Sequence, residues 1–372
     1  MRSRPSPSVR RQAGLSLIEL MIAIAIGLML VAAMGYLYVG QRQTWRALEA
    51  VARLQENGRF ALELLGRDLR MAGYGGCMAL AELKPALKAK LDKADKQPHF
   101  ASLLNPFLAQ GHLVRGYADW GVDRNLNGGL DSDDPGKNYV SGTDTLLVVG
   151  GGNPVHAVTA GMSGDAGDIP VGGSAKFRQG ALALIADCAK GDVFRVSDAN
   201  DEYASGSTLI EHASPLPHVE KRNTSSDLSK PYDAAAQVMP LNINYYYLRA
   251  NPAGSPALYR LSWDGNGTGW GRSEELIEGV EAMRIVYGED ANGDGAVDVY
   301  RPAGDVDDWA RVRAVRVSLL LVGAERSATG GAQRYYWDAD GDGELDATPV
   351  AAPADGRLRM VFTSTYSLRN RP

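Results

Sequence analysis

The sequence predicts an α+β protein, a long N-terminal helix packed on an antiparallel β-sheet head with long loops. Three observations predict it. Leu15 to Val39 is an apolar run of twenty-five residues with a single charge. Gln41 to Met71 keeps a helical period, and from there on the apolar period changes to two. Helix first and sheet afterwards make an α+β chain.

The first fourteen residues, MRSRPSPSVRRQAG, carry four arginines and no acid. At 1.5 Å per residue, a helix over Leu15–Val39 covers the roughly 30 Å hydrocarbon core of a bilayer. Arginines before such a run hold the N-terminus inside and send the rest of the chain to the periplasm or exterior. A secretory signal would have a shorter apolar core and a small-residue cleavage site after it. A plain anchor would give no reason for Glu19, because a carboxylate at membrane depth costs roughly 2.5–3.5 kcal/mol on the insertion scale.

In QRQTWRALEAVARLQENGRFALELLGRDLRM (41–71), Ala47, Leu48, Val51 and Leu54 fall on one stripe. Ala61, Leu62, Leu65 and Leu69 continue it past Gly58, and most charges lie opposite, so this stretch predicts a helix packing on the head. It continues the apolar helix and stops at AGYGGC, where Gly73, Gly75 and Gly76 break it. Trp45 is off the stripe.

Strands are predicted at 144–149, 181–187, 192–196, 243–249, 258–263, 280–288, 313–323 and 358–368. In 313–323, Val315, Val317, Leu319 and Leu321 alternate with Ala314, Arg316, Ser318 and Leu320, the pattern of a half-buried antiparallel strand. Residues 82–140, 150–175 and 197–240 are rich in Gly, Asp, Asn and Pro, and are expected to be long surface loops.

Composition excludes several functions. Formal net charge is −5, and without the leading arginines 35 basic residues remain against 44 acidic ones. The body is acidic, with no clustered basic face for nucleic acid. Two cysteines, Cys77 and Cys188, are too few for a thiolate zinc site. In an exported head, pairing them is the simplest reading, and two free buried thiols are the alternative. His99, His112, His156, His212 and His218 are scattered without metal-ligand spacing. There is no G-x-S-x-G elbow, and GNGTGWG (265–271) lacks a phosphate-binding lysine and reads as a turn. No catalysis is assigned.

Three acidic loops share a spacing: DRNLNGGLD (123–131), DANGDGAVD (290–298) and DADGDGELD (338–346). Each fits D-x-[DN]-x-[DN]-G, the first half of an EF-hand-type calcium loop. The candidate Ca2+ ligands are Asp290, Asn292, Asp294, Asp298 and the carbonyl of Ala296; and Asp338, Asp340, Asp342, Glu344 and Asp346. Asp123, Asn125, Asn127, Asp131 and Asp134 form a less charged third set. The bidentate acid of a true EF-hand is replaced by Arg301 and Pro349 in the two richer loops, so shorter calcium loops are expected. Val297, Leu345 and Leu130 are expected to anchor them to a core. Asx-rich turns formed for local backbone reasons are the alternative.

GLSLIELMIAIAIGLML (14–30) resembles the class III signal of type IV pilins and pseudopilins. The resemblance implies cleavage after Gly14 by a prepilin peptidase and N-methylation of Leu15. It also implies that Glu19 neutralises the amino terminus of a neighbouring subunit as helices stack into a filament. Leu15 stands where phenylalanine is commoner, and Tyr36 where many major pilins have proline. Blocks 52–77, 181–196, 278–295, 307–321 and 362–371 resemble the PilW-type minor pilins of type IV pili, and this supports pairing Cys77 with Cys188.

The resemblance implies a leader at 1–14, a membrane and filament-core helix at 15–40, an amphipathic helix at 41–76 and a periplasmic β-rich head at 77–372. It further implies a single-pass inner-membrane protein that moves into the surface fibre. There it would prime assembly and cap the tip beside other minor pilins, the major pilin and a large adhesin. The competing readings are a pseudopilin of a type II secretion system and a membrane-anchored calcium-binding adhesin.

Overall fold

The computed structural model describes residues 16–80, 87–89, 113–118, 139–173, 175–203, 207–213, 223, 225–263, 270–326, 333–338 and 344–370. One α-helix, Leu17–Met71, runs unbroken for 55 residues, about 83 Å at the standard rise. Ser16 caps its start. At its end Gly73 takes φ +74°, a left-handed conformation costly to a residue with a Cβ, and turns the chain onto the head. The continuous helix and its stop are as the sequence predicts.

Two sheets carry the head. The smaller has four antiparallel strands in the order Val299–Pro302, Val280–Glu289, Val312–Arg326, Arg357–Ser367. The larger is built round the 14-residue strand Gln237–Ala250. That strand pairs antiparallel with Thr145–Gly151, Leu182–Ala186 and Pro256–Trp263 at different points along its length. Trp270–Glu278 closes one edge of this sheet. Gly191–Arg195 pairs antiparallel with Leu182–Ala186, and Leu87–Ala89 lies parallel beside it.

The helix contributes Leu54, Ala61, Leu65 and Leu69 to a core that it shares with both sheets. The four-stranded sheet supplies Met283, Ile285, Val315, Val317, Leu319 and Leu321, and the large sheet Leu146, Val148, Tyr246 and Leu248. Their neighbours Leu147, Val149, Tyr245 and Tyr247 enter a second core on the opposite face. Burial on both faces explains why TLLVV and YYYL read as continuous apolar runs rather than as alternation.

All eight predicted strands are present. The expectation for 150–175 and 197–240 needs correcting. Ile169–Gly172, Asp198–Tyr203 and Ser207–Glu211 form a third sheet inside them. A third core, which includes Val171, Phe194, Ile210, Tyr232 and Val238, fills the space below. These strands are short, and their apolar residues find partners distant in sequence, so local periodicity is too weak to mark them. Most of 82–140 lies outside the described residues, but Val114–Tyr117 joins the large sheet.

Candidate functional site

The helix begins with a capping box. Ser16 N–H and Ser16 Oγ donate to Glu19 Oε2 at 2.9 and 3.0 Å. Glu19 N–H donates back to Ser16 Oγ at 3.3 Å. The motif S-x-x-E marks this helix start. The residue that looks misplaced in an apolar run therefore holds a structural bond within its own chain. Gly14 and Leu15 lie outside the described residues. Past the cap the side chains from Leu17 to Val39 are almost all exposed, and the helix is long and apolar enough to cross a membrane.

From Leu54 onward the same helix is seated on the head. Gly58 and Gly66 admit aromatic rings from the last strand: a Cβ on Gly58 would lie 2.6 Å from the Phe362 ring, and one on Gly66 would strike Tyr366. Tyr366 also donates its hydroxyl to the Leu62 carbonyl at 2.6 Å. Asp68 accepts from Asn244 Nδ2 at 2.5 Å and from the Tyr246 hydroxyl at 2.6 Å. Burial, and then the Asp68 carboxylate, push the Tyr246 hydroxyl far above its ordinary pKa, so it stays protonated and donating. Asn370 Nδ2 reaches the Ala72 carbonyl at 3.1 Å and Gly73 N–H bonds to the Val149 carbonyl at 2.9 Å. No local pattern marks the roles of Gly58, Gly66, Asp68 or Asn370, because contacts across this seat span up to 304 positions.

A disulfide then ties the helix exit to the large sheet. Cys77 and Cys188 are bonded with Cα atoms 5.1 Å apart across 111 positions. Cys77 sits in the turn between Tyr74–Gly75 and Met78–Ala79, and Cys188 in the turn after Leu182–Ala186. Closing so long a loop stabilises the fold by about 4–5 kcal/mol in the chain-entropy model.

Residues 9–35 match the model of the prokaryotic N-terminal methylation motif. Residues 245–370 match the family model described as Type IV Pilus-assembly protein W. This stretch, about a third of the chain, is thus similar to a PilW domain. It holds the whole four-stranded sheet and the aromatic residues that seat the helix. The two matches together support a role as a minor pilin. A type IV-like pilin from Thermus thermophilus is similar over 35% of this chain at 17% identity, with a TM-score of 0.22. The match covers 66% of that pilin, just under two thirds of its length. No curated protein matches the chain.

Two of the acidic loops lie within the PilW-like stretch. In 290–298 the Asp290 side chain is buried, with Oδ1 accepting from Gly293 N–H and Oδ2 from Gly295 N–H at 2.6 and 2.9 Å. Arg313 Nε lies 3.3 Å from the same carboxylate. Burial opposes its ionisation, but the two amides and Arg313 outweigh burial and hold its carboxyl below the usual range. Asp298 Oδ2 accepts from Ala291 and Asn292 N–H, and Asp294 Oδ1 from Ala296 N–H. Each acid thus closes a local turn.

In 338–346, Asp338 is buried and its carbonyl accepts from Arg284 Nε at 3.0 Å. Glu344 is exposed, while Asp340 and Asp342 lie outside the described residues. Among the described residues no three His, Cys, Asp or Glu side chains converge on one point. The expected core anchor Leu345 is 62% exposed. It lines a cleft on the outer face of the four-stranded sheet with Arg284, Arg316 and Thr363. A polar face offers no core to enter. Val297 is half-buried and lies against Gly288, at the strand from which the loop leaves. The third set, Asp123, Asn125, Asn127, Asp131 and Asp134, lies outside the described residues.

Proposed function

We propose that the protein is a minor pilin that acts in type IV pilus assembly as part of a priming and tip subcomplex. The observation that carries the reading is a single rod-like helix. Its first half is apolar and exposed, its second half is locked to a PilW-like head, and a methylation motif covers its start. In this reading prepilin peptidase cuts between Gly14 and Leu15, the head faces the periplasm, and Leu15–Val39 docks in the filament core. Glu19 meets the amino terminus of a neighbour through the oxygen that Ser16 does not use. Other minor pilins, the major pilin and a large tip adhesin are its partners. The work is assembly and adhesion, not catalysis.

Ca2+ binding belongs to the reading as a separable part. The oxygen-only donors of 338–346 suit Ca2+. The 290–298 loop suits it less, because amides and Arg313 already answer its carboxylates. Replacing Asp340 and Asp342 by Ala is expected to shrink the calcium-induced rise in melting temperature; an unchanged rise removes that loop.

The deciding experiment is a clean gene deletion, with sheared surface pili and the major secreted proteins quantified side by side. Lost pili with intact secretion, restored by the gene, support the minor-pilin role. Normal pili with collapsed secretion would make the chain a pseudopilin of a type II secretion system. A membrane-anchored calcium-binding adhesin would remain uncut at Gly14 and be indifferent to Glu19→Ala.

A further inference from the structure

The three sheet edges that end the two main sheets in the PilW-like stretch are not equally protected. Trp270–Glu278 closes the large sheet and carries Glu274, Glu275 and Glu278. Val299–Pro302 is four residues long and ends in proline. Charge, brevity and proline are the usual devices that stop an edge from recruiting another strand. Arg357–Ser367 is eleven residues long and ends the four-stranded sheet on its other side. From Met360 to Leu368 it has neither charge nor proline.

The backbone direction along this strand is set by its register. Leu368 N–H donates to the Arg313 carbonyl at 2.8 Å, which makes 313 and 368 a hydrogen-bonded pair. With Ala314 opposite Ser367 and Val315 opposite Tyr366, hydrogen-bonded pairs fall on the even-numbered residues of the strand. Odd-numbered residues point their N–H and C=O outward. Arg359 confirms this, because the Gln333 side chain accepts from its N–H at 2.9 Å and donates to its carbonyl. The protein thus supplies an amide in place of a neighbouring strand at Arg359. At Val361, Thr363 and Thr365 no described residue bonds the outward backbone groups. They form an open row of about 14 Å.

We propose that a strand from a different polypeptide chain of the pilus adds to this edge and pairs with Val361, Thr363 and Thr365. The inference rests on the filament reading and names a docking site within it. Only another backbone can answer alternating N–H and C=O groups at this spacing. On the inner face Met360 and Phe362 are only partly buried, so the added strand carries apolar side chains there. On the outer face it meets Thr363, Thr365 and Arg316, which suit hydroxyl or acidic side chains. A second copy of this chain is disfavoured by symmetry. Antiparallel pairing of two identical edges needs a two-fold axis normal to the sheet. That axis would run the two long helices in opposite directions, whereas copies anchored in one membrane point the same way.

The test uses the full chain in cells that assemble its fibre, with a photoreactive residue at Thr363 and a control at exposed Asp305. Adducts are identified by peptide sequencing. The expected result is one extended, proline-free segment of a single other chain joined at 363 and not at 305. Thr365→Pro, which removes an outward N–H and, at the surface, the 3.4 Å contact from Arg316, should cut that adduct at least tenfold, as should Thr365→Lys. Both should leave the disulfide and the melting temperature of the head unchanged. Adducts to scattered peptides or to the chain's own sequence, or insensitivity to both variants, overturn the proposal. A chain cut at Gly14 and incorporated into fibres, yet giving no adduct, overturns the edge inference and leaves the filament reading standing. A chain never cut at Gly14 overturns the reading on which both rest.

Discussion

The two halves of one helix have opposite surroundings. Between Leu17 and Val39 its large apolar side chains stand exposed, and nothing lies within 4 Å of where a Cβ on Gly27 or Gly35 would sit. Between Leu54 and Leu69 the stripe residues Leu54, Ala61, Leu65 and Leu69 are buried and Leu62 is partly so, and a Cβ on Gly58 or Gly66 would strike an aromatic ring. Leu48 marks the boundary: it belongs to the stripe by period, yet it is 62% exposed. Periodicity therefore says which face of a helix is apolar, but only the extent of the head decides where that face is covered. Among the described residues nothing packs on the free half, which suits a segment that meets a bilayer or neighbouring helices.

The largest test of this contrast acts where the seated half ends. Cys188→Ser should destabilise the head by about 2–5 kcal/mol in denaturant unfolding. An unchanged midpoint would mean that the hydrogen bonds of Asn370 and Gly73 alone hold the helix exit. Next, Gly66→Leu should cost about 1–3 kcal/mol through overpacking against Tyr366. Gly27→Leu, in the free half, should leave head stability within about 0.5 kcal/mol. If the two glycine variants unfold alike, the contrast between the halves fails.

A smaller effect is expected with acid. Hydrogen bonds from Arg359 and from the Arg357 amide hold the Asp355 carboxyl far below its usual range. Its folded pKa is depressed, so its contribution is fully present above the unfolded value of about 3.9 and is lost as pH falls toward the folded one. Asp355→Asn should lower head stability at neutral pH, where the contribution is fully present, and flatten the pH dependence of head unfolding below about pH 4. The smallest change expected is Leu48→Gln, because an exposed residue between the two regimes should move head stability by less than about 0.5 kcal/mol.

Much of the architecture was legible because it rests on local rules. A long apolar run, a change of period from 3.6 to two and glycines after a helix each act within a few residues. They place the helix, its stop and eight strands. The third sheet was missed because Ile169–Gly172 and Ser207–Glu211 are short and lie within Gly- and Asp-rich sequence. At the candidate site, Glu19 and the cysteine pair were readable from their setting and from resemblance, whereas the Ser16 cap on Glu19 emerged with the structure. The seat of the helix was not, since Gly66 looks like any helix-weakening glycine until Tyr366 is brought against it.

Backbone propensity and hydrophobic period are short-range properties, and they suffice to dictate a long-helix α+β chain with an apolar end. They do not say which part of the helix is covered, which glycines are required or which sheet edge stays open. Those outcomes depend on strands that meet after hundreds of residues of intervening chain, where closure and packing, not local pattern, choose the neighbours.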